Sequence, residues 1–523
     1  MVWKVRHKKE ENCANRFVAV LFAAIIVNLG LYWLPDSIFG LEIKKVDLLS
    51  DIRKPSQGDT DNIPALPADD EDGMFGEPEM GALADLSAGP VIPPPLPEDN
   101  PSAQPPRRPA VTPPVPTGND ANGVTSDAKP ETPANVSVGD SNKVDYLSNT
   151  LIEDFSTGHT GLRRFFAALD NINRLERPVR IAFLGDSFIE GDILVADFRA
   201  KMQEQFGGRG VGFLPITSNV AQYRPTIRQS ADGWKTYSII KNKNRKYVLS
   251  GLSFEPESDK ASIRFQTVDM YPGLDEVSSV KFIYSSNKNT GLLLDSGGDT
   301  SYYELPPAES VTQYEIRGKF TQGTMRFRNI AGLNAIGVAF EDNRGVVVDN
   351  FSLRGNSGII MSELDGESCR DLQRIRPYDL IIMQYGLNVA SDSVNEYGWY
   401  RNRMVSVIEH VQYCFPGADI LILGVSDRSH KRGGEYCTMP AVLSLLRAQR
   451  QTARKTEVTF WSIFAAMGGR NSMIKYVNSN WASKDYTHLS FRGGREIAQS
   501  LFDAIITEKK TYDSDEGERL VER

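Results

Sequence analysis

The stretch that most constrains the fold runs from Arg180 to Ser187 and reads Arg-Ile-Ala-Phe-Leu-Gly-Asp-Ser. Its short apolar run is typical of a buried strand, and it ends abruptly at a glycine, an acid and a hydroxyl. Open α/β folds carry their chemistry at the carboxyl ends of the parallel strands. The stretch therefore predicts that Ser187 lies at the functional edge of a parallel sheet. A strand followed by an Asp-Ser helix cap is the structural alternative.

Strand-like and helical patterns alternate in the last third of the chain. Strand-like runs lie at 380–383, 420–423 and 458–461, and helical patterns lie at 400–414, 440–454 and 494–507. Strands alternating with helices of this length predict a parallel sheet with helices on both faces. Short alternating runs separated by Asn, Gly, Asp and Ser replace this pattern from about 215 to 350. They predict an antiparallel β-sandwich inserted into the α/β domain.

The amino terminus has the pattern of a membrane anchor. Residues 1–16 are basic, and an uncharged apolar run follows from Phe17 to Leu34. Eighteen helical residues span about 27 Å, close to the thickness of a hydrocarbon core. The charge bias predicts a single-pass anchor at 17–39 in the inner membrane, with the following domain facing the periplasm. A cleaved signal peptide is the alternative.

The next segment has a different composition. Eighteen of the 29 prolines lie between 53 and 142, among Asp, Glu, Gly, Ser and Ala. Such a segment buries too little apolar surface to offset its ordering entropy, so we expect a disordered linker at 40–143. The α/β domain is then expected at 144–214 and 351–511, on either side of the sandwich at 215–350. A charged tail is expected at 512–523.

Charge and cysteine usage exclude several classes of protein. The net charge of −8 and the pI near 5.4 argue against a nucleic-acid partner. The four cysteines lack the paired spacing of a zinc site, so we expect neither a metal nor another cofactor. One disulfide among Cys369, Cys414 and Cys437 is compatible with the sequence, which does not select a pair.

Three residues have the chemistry of a nucleophile, a base and an orienting acid. Asp485 and His488 are three positions apart, so one turn can hold both. The carboxylate can then accept the imidazole Nδ1–H, which leaves Nε2 to deprotonate Ser187. A surface pair or a helix cap is the structural alternative for Asp485 and His488. Among the other histidines, His430 is the one competitor, and we interpret it as a solvated loop residue.

Oxyanion stabilisation requires N–H donors aimed at the developing charge. Asn388, in Gly386-Leu387-Asn388, offers a side-chain amide at the end of a strand. Gly358 offers a backbone N–H unobstructed by a side chain, and Ser187 offers its own backbone N–H. An ordinary turn is the alternative for Gly386-Leu387-Asn388.

These parts, in this order, resemble the SGNH (GDSL-type) esterases, which have a Ser after Gly-Asp, a Gly, an Asn after Gly-x, and an Asp-x-x-His near the end. The resemblance implies a three-layer α/β/α parallel sheet. It also implies a catalytic triad of Ser187, Asp485 and His488, with oxyanion donors at Ser187, Gly358 and Asn388. Phe188 departs from the Leu or His that is common after the Ser, a difference expected to affect substrate fit.

A closer resemblance covers the segments on both sides of the insert. The segments FGGRGVGF (206–213), FWSIFAAMGGRNSM (460–473) and DYTHLSFRGG (485–494) look like those of the bacterial peptidoglycan O-acetylesterases. In that family a carbohydrate-binding-module-like sandwich interrupts the SGNH domain. The resemblance implies an acetylesterase acting on an acetylated glycan, with O-acetylmuramoyl residues of peptidoglycan as the expected substrate. Glycan binding by the insert is a fold-level analogy.

Two other functions are compatible with the same residues. The triad would equally serve a glycan O-acetyltransferase, or a deacetylase of another polysaccharide, because the sequence does not encode the acceptor. A non-enzymatic, anchored glycan-binding protein with a vestigial triad is the third hypothesis.

Overall fold

The computed structural model describes residues 147–521 and four residues near the amino terminus. Those four form two paired antiparallel strands, Ser37–Ile38 and Leu41–Glu42, within a separate unit of the chain, Met1–Asn62. Apart from them, the predicted basic segment 1–16, anchor 17–39 and linker 40–143 lie outside the described residues. No helix in the described part of the chain has an apolar stretch long enough to cross a bilayer.

A six-stranded sheet forms the centre of the α/β part. In spatial order its strands are Val346–Ser352, Val179–Gly185, Leu380–Gln384, Asp419–Gly424, Thr459–Ser462 and Glu153–Asp154. Neighbouring strands pair in parallel, except that the edge strand Glu153–Asp154 is antiparallel. Val179–Gly185 is buried at every position, as its apolar sequence predicts. The mixed α/β fold class is confirmed.

Helices pack around this sheet in two groups. One group comprises Arg163–Asp170, Val195–Phe206 and Phe491–Val521, and the other comprises Gly366–Ile375, Gly398–Cys414 and Pro440–Lys455. Short helices at Ile463–Ala466 and Ser472–Asn478 follow the last parallel strand. Between residues 147 and 521, 3₁₀ turns lie at Ser187–Asp192, Ala221–Tyr223, Ile359–Glu363 and Leu387–Val389.

Two antiparallel sheets make up the insert. The first contains Ala308–Phe320, Val277–Ser286, Leu333–Glu341, Leu252–Pro256 and Trp234–Ser238, with Gly212–Leu214 paired beside Leu333–Glu341. The second contains Asp299–Leu305, Thr290–Ser296, Gln322–Arg328, Ser262–Gln266 and Arg228–Asp232. Their inner faces meet through aromatic rings, such as Phe265 and Phe340 with centroids 4.4 Å apart. The insert is therefore a β-sandwich.

The structure differs from the expected segment limits at two places. Val346–Ser352 belongs to the parallel sheet, so the limit expected at 350 falls inside a strand. The helix Phe491–Val521 continues through most of the segment expected to be a charged tail. It is held there by the Tyr512 ring, which packs 5.5 Å from that of Phe166, and by Lys509, which bonds Asp513 at 2.7 Å.

A buried ion network joins the sandwich to the parallel sheet. Arg376 is fully buried and donates to Glu341 at 2.5 and 3.0 Å and to Asp349 at 2.8 and 2.9 Å. Arg180 and Lys281 each reach Glu341 at 2.7 Å. Burial alone would lower the pKa of Arg376, but the two carboxylates outweigh it and hold the pKa well above its usual range. The three cations likewise outweigh burial at Glu341 and hold the pKa of this carboxyl well below its usual range, so Arg376 and Glu341 form a charged pair.

Replacing Arg376 by Met should destabilise the fold by about 3–5 kcal/mol, because two buried carboxylates would lose a partner. The measurement is the free energy of unfolding in urea. The control is Arg374→Met, which removes an exposed pair with Asp371 and should change stability by about 0.5 kcal/mol or less. Similar losses in both variants would contradict a central role for Arg376.

Candidate active site

The site lies where three neighbouring parallel strands end. Val179–Gly185, which leads to Ser187, is flanked by Val346–Ser352, which leads towards Gly358, and by Leu380–Gln384, which leads to Asn388. Because the carboxyl ends of parallel strands meet at one edge, this order brings the three loops together. Ser187 is half-buried at the start of a 3₁₀ turn.

The residue before Ser187 caps that turn. Asp186 has an extended conformation, and its Oδ1 accepts a hydrogen bond from the Phe188 N–H at 2.9 Å. The cap expected from an Asp-Ser pair is therefore present, and it aims the neighbouring hydroxyl into the site. The Asp-Ser cap and the position of Ser187 at the functional edge of the sheet are therefore compatible.

Ser187, His488 and Asp485 form a hydrogen-bonded chain. The Ser187 Oγ lies 3.0 Å from His488 Nε2, and His488 Nδ1 lies 2.7 Å from Asp485 Oδ2. A carboxylate only accepts, so Nδ1 carries the proton and Nε2 is left to accept from the serine. The structure thus brings Ser187 to His488, which lies 301 positions later in the chain, and keeps Asp485 beside it.

Local hydrogen bonds make the Asp-Tyr-Thr-His segment rigid. Asp485 Oδ1 accepts from the N–H groups of Thr487 and His488 at 2.8 and 3.0 Å, and also from the Ser483 hydroxyl. The segment joins the terminal helix at two glycines. A Cβ at Gly494 would lie 2.0 Å from the Ile193 carbonyl oxygen, so glycine allows this helix to approach the segment that follows the Ser187 turn.

The same bonds set the charge of Asp485. Burial alone would raise its pKa, but the hydrogen bonds from His488 and Ser483 outweigh that effect and hold the pKa well below the usual range. Asp485 is therefore anionic wherever the imidazole works as a base.

The two predicted amide donors are engaged with other protein groups. The Gly358 N–H donates to Asn356 Oδ1 at 2.8 Å, which differs from the expected unobstructed donor. Asn388 Nδ2 donates to Asp186 Oδ2 at 2.8 Å and to the Asn356 carbonyl at 3.2 Å. An oxyanion bound here must take over some of these bonds.

Gly358 has a steric reason to be glycine. Its φ is +90°, and a Cβ would lie 2.9 Å from the Tyr385 ring. Any side chain would be strained at this φ and would push the loop away from the ring.

Asp186 is the buried acid of the site. Burial raises its pKa to about 6, against partial compensation by the Phe188 N–H and by His488. The sequence predicts Asp186 only as a cap, although its position beside Ser187 is a visible signal of a role in the site. Asn356, which accepts from Gly358 and Asn388, had no such signal.

His430 differs from the solvated loop residue expected. It lies in a hairpin, Ser429–Arg432 paired with Glu435–Thr438, and its Nδ1 is 2.7 Å from Asp392 Oδ1. Cys369, Cys414 and Cys437 are free thiols. Within the described residues, no group of three or more acids, histidines or cysteines is arranged to hold a metal.

Known proteins match this chain by structure but not by sequence. No protein-family model and no curated protein matches it. A solved structure described as "Peptidoglycan O-acetylesterase in action, 5 min" superposes with a TM-score of 0.57 and 19% identity, covering 69% of this chain and 99% of that one. This chain has the fold of that esterase. The likeness in fold to a peptidoglycan O-acetylesterase, which the sequence predicts, is confirmed.

Other solved esterases align less well. A family two carbohydrate esterase from Cellvibrio japonicus gives a TM-score of 0.24 at 11% identity, covering 55% of this chain and 98% of that one. An acetyl xylan esterase gives 0.23 at 13% identity, covering 31% and 81%. We infer nothing from these two.

Replacing Asp186 by Asn should change how stability depends on pH. Because the folded-state pKa of about 6 exceeds the ordinary 3.8, the native state binds this proton more tightly than the unfolded chain. Ionising Asp186 therefore lowers stability as the pH rises from about 4 to about 6, by roughly 3 kcal/mol.

The measurement is the unfolding free energy of the variant minus that of the natural chain. This difference should grow over that pH window and level off above it. Asp232→Asn, which replaces an exposed acid, is the matched control. A difference that is constant with pH would contradict the raised pKa.

Proposed function

We propose that the chain is a serine esterase that removes O-acetyl groups from a cell-envelope glycan, with the O-acetylmuramoyl residues of peptidoglycan as substrate. The observation that carries the proposal is the 3.0 Å approach of Ser187 Oγ to His488 Nε2, with Asp485 on the opposite ring nitrogen. The fold shared with a peptidoglycan O-acetylesterase supports the choice of ester and glycan.

The first half of the reaction forms an acetyl-enzyme. Ser187 Oγ attacks the acetyl carbonyl while His488 Nε2 takes its proton. Asp485 stabilises the resulting imidazolium through Nδ1–H. His488 then gives the proton to the sugar oxygen as the carbon–oxygen bond breaks, and the deacetylated hydroxyl leaves. In the second half, His488 Nε2 takes a proton from water as the water oxygen attacks the acetyl carbonyl. The proton passes to Ser187 Oγ as its bond to the acetyl carbon breaks, and acetate leaves.

Negative charge develops on the acetyl oxygen in both halves. The N–H groups of Ser187 and Gly358 and the side-chain amide of Asn388 are the donors proposed to receive it. The last two must exchange a bond to Asn356 for one to the oxyanion. Asp186 retains the other amide hydrogen of Asn388 and so keeps this side chain in place.

A glycan-binding role for the sandwich is supported by a surface cavity of about 460 Å³. Polar side chains of four strands of one sheet line it, among them Arg228, Arg264, Gln266 and Gln322. Such groups can hydrogen-bond sugar hydroxyls. Anchoring by residues 17–39 and a periplasmic location stay predictions of the sequence.

Replacing Ser187 by Ala should abolish turnover of a simple acetyl ester such as 4-nitrophenyl acetate, because no nucleophile would remain. The rate of nitrophenol release is the readout, and circular dichroism checks the fold. Ser362→Ala, an exposed hydroxyl on a nearby 3₁₀ turn, is the control. Full activity of the Ser187 variant would exclude the assignment.

Acetate release should be faster from O-acetylated peptidoglycan than from acetylated xylan, because the proposed substrate is the former. Acetate is measured with equal amounts of ester in each polymer. Faster release from xylan would redirect the proposal to another polysaccharide. Retention on peptidoglycan without acetate release would favour a binding protein.

A further inference from the structure

A small cavity lies beside the turn that carries Ser187. Its volume is about 40 Å³, enough for a few non-hydrogen atoms. Glu190 of the Ser187 turn lines one side, and Asn350, Ser352 and Arg354 line another at the end of the edge strand. The segment before the sandwich closes it with Arg224 and neighbouring residues. Polar groups of three separate segments therefore converge here.

Arg224 has an unusual environment in this cavity. The residue is only 7% exposed, and its Nε and Nη1 are buried without a hydrogen-bond partner among the described residues. Burial lowers the pKa of the guanidinium, although nearby Asp192 and Glu190 oppose that effect. A buried guanidinium is normally paired and fully hydrogen-bonded. Within residues 147–521, these two nitrogens of Arg224 are therefore donors without an acceptor.

The neighbouring acids are already engaged. Asp192 accepts from Arg199 at 3.2 Å, from Thr226 at 2.5 Å and from Asn350 at 2.7 Å. Glu190 pairs with Arg354 at 2.8 Å. Three guanidinium groups thus share two carboxylates. Arg199 bonds Asp192 and Arg354 bonds Glu190, whereas Arg224 has no bond to either acid among the described residues.

We propose that Arg224 is the centre of an anion subsite that binds a carboxylate of the substrate while Ser187 attacks its acetyl ester. A planar carboxylate fits one fork of the guanidinium, Nη2 with either Nε or Nη1, and it would supply an acceptor and a negative charge that Arg224 lacks. The hydroxyls and amides of the wall can complete its hydrogen bonds. This inference rests on the proposed esterase function and adds to it that the glycan is anionic.

The subsite and the nucleophile are linked by the chain. Glu190 is three residues after Ser187 in the same 3₁₀ turn, and Arg354 is four residues before Gly358. A carboxylate held here therefore has a fixed position relative to the attacking oxygen and the oxyanion donors. Two sources share this chemistry: an acid on the sugar itself and an acid on a peptide attached to it.

The test compares three 6-O-acetyl substrates. The first is N-acetylmuramic acid with its free carboxylate, the second is its methyl amide, and the third is its amide with alanine, which moves the carboxylate to the peptide. The full chain is compared with Arg224→Gln, Arg224→Lys and the exposed control Arg317→Gln. The readout is kcat/KM for acetate release.

Arg224→Gln should lower kcat/KM for a carboxylate substrate at least about tenfold more than for the methyl amide, because a charge-assisted bond is lost. The substrate that shows this selective loss identifies the source of the carboxylate. Arg224→Lys keeps the charge without the fork and should lose less. If circular dichroism shows that Arg224→Gln does not fold, the same comparison of substrates is made with Arg224→Lys.

An equal loss on all three substrates would overturn the subsite and leave the esterase function intact. A separate measurement is independent of turnover: calorimetric binding of N-acetylmuramic acid and of its alanine amide to the Ser187→Ala chain. Adding Arg224→Gln should weaken binding of the anion at least about tenfold. Unchanged affinity for both anions would also overturn the subsite, whether or not the chain proves to be an esterase.

Discussion

Arg376 bonds two carboxylates that belong to different parts of the molecule. Glu341 ends the last strand of the sandwich, and Asp349 lies in the edge strand of the parallel sheet. Asp349 is eight positions after Glu341, and between them the chain passes from the sandwich to the parallel sheet. Because one guanidinium holds both acids, the crossing has a single geometry. A buried ion pair is tolerated in the interior when its geometry is good and further hydrogen bonds accompany it, and here Arg376 makes four donor contacts to the two acids.

The edge strand fixed in this way positions half of the site. After Ser352 the Leu353 N–H donates to the Gly185 carbonyl at 2.9 Å, which joins this loop to the strand of Ser187. The chain then places Arg354 against Glu190 and brings Gly358 to the side of Tyr385. The sandwich thus interrupts the α/β domain in sequence, but the return to the sheet is as closely specified as any other part of the core.

Residues with local or strongly patterned signals were predictable. Ser187 follows an unmistakable buried strand, and Asp485 and His488 are close enough in sequence for their pairing to be inferred from spacing alone. The sequence places Gly358 and Asn388 at strand ends but does not predict their hydrogen bonds. The partner of Asn388, Asp186, is 202 positions away, and the partner of Gly358, Asn356, is close by but bonds through a side-chain rotamer. Arg224 and Arg376 had no sequence signal, since their meaning depends on which acids the fold leaves unpaired. The length of the terminal helix was missed because a charged composition hides the packing of Tyr512 on Phe166.

Asn356 accepts hydrogen bonds from two of the predicted oxyanion donors. Its side-chain oxygen accepts from Gly358 and its backbone oxygen accepts from Asn388, so one residue satisfies both amides when no ester is bound. An ester carbonyl that binds here replaces these hydrogen bonds, so its net binding free energy is only the difference between the bonds it forms and the bonds it displaces. A short ester with no other contacts to the protein gains little binding energy from that exchange. A ligand that is also bound elsewhere on the surface can offset the lost hydrogen bonds with the energy of those distant contacts. The selectivity of this site for large ligands over short esters would then depend on the two hydrogen bonds that Asn356 accepts when no ester is bound.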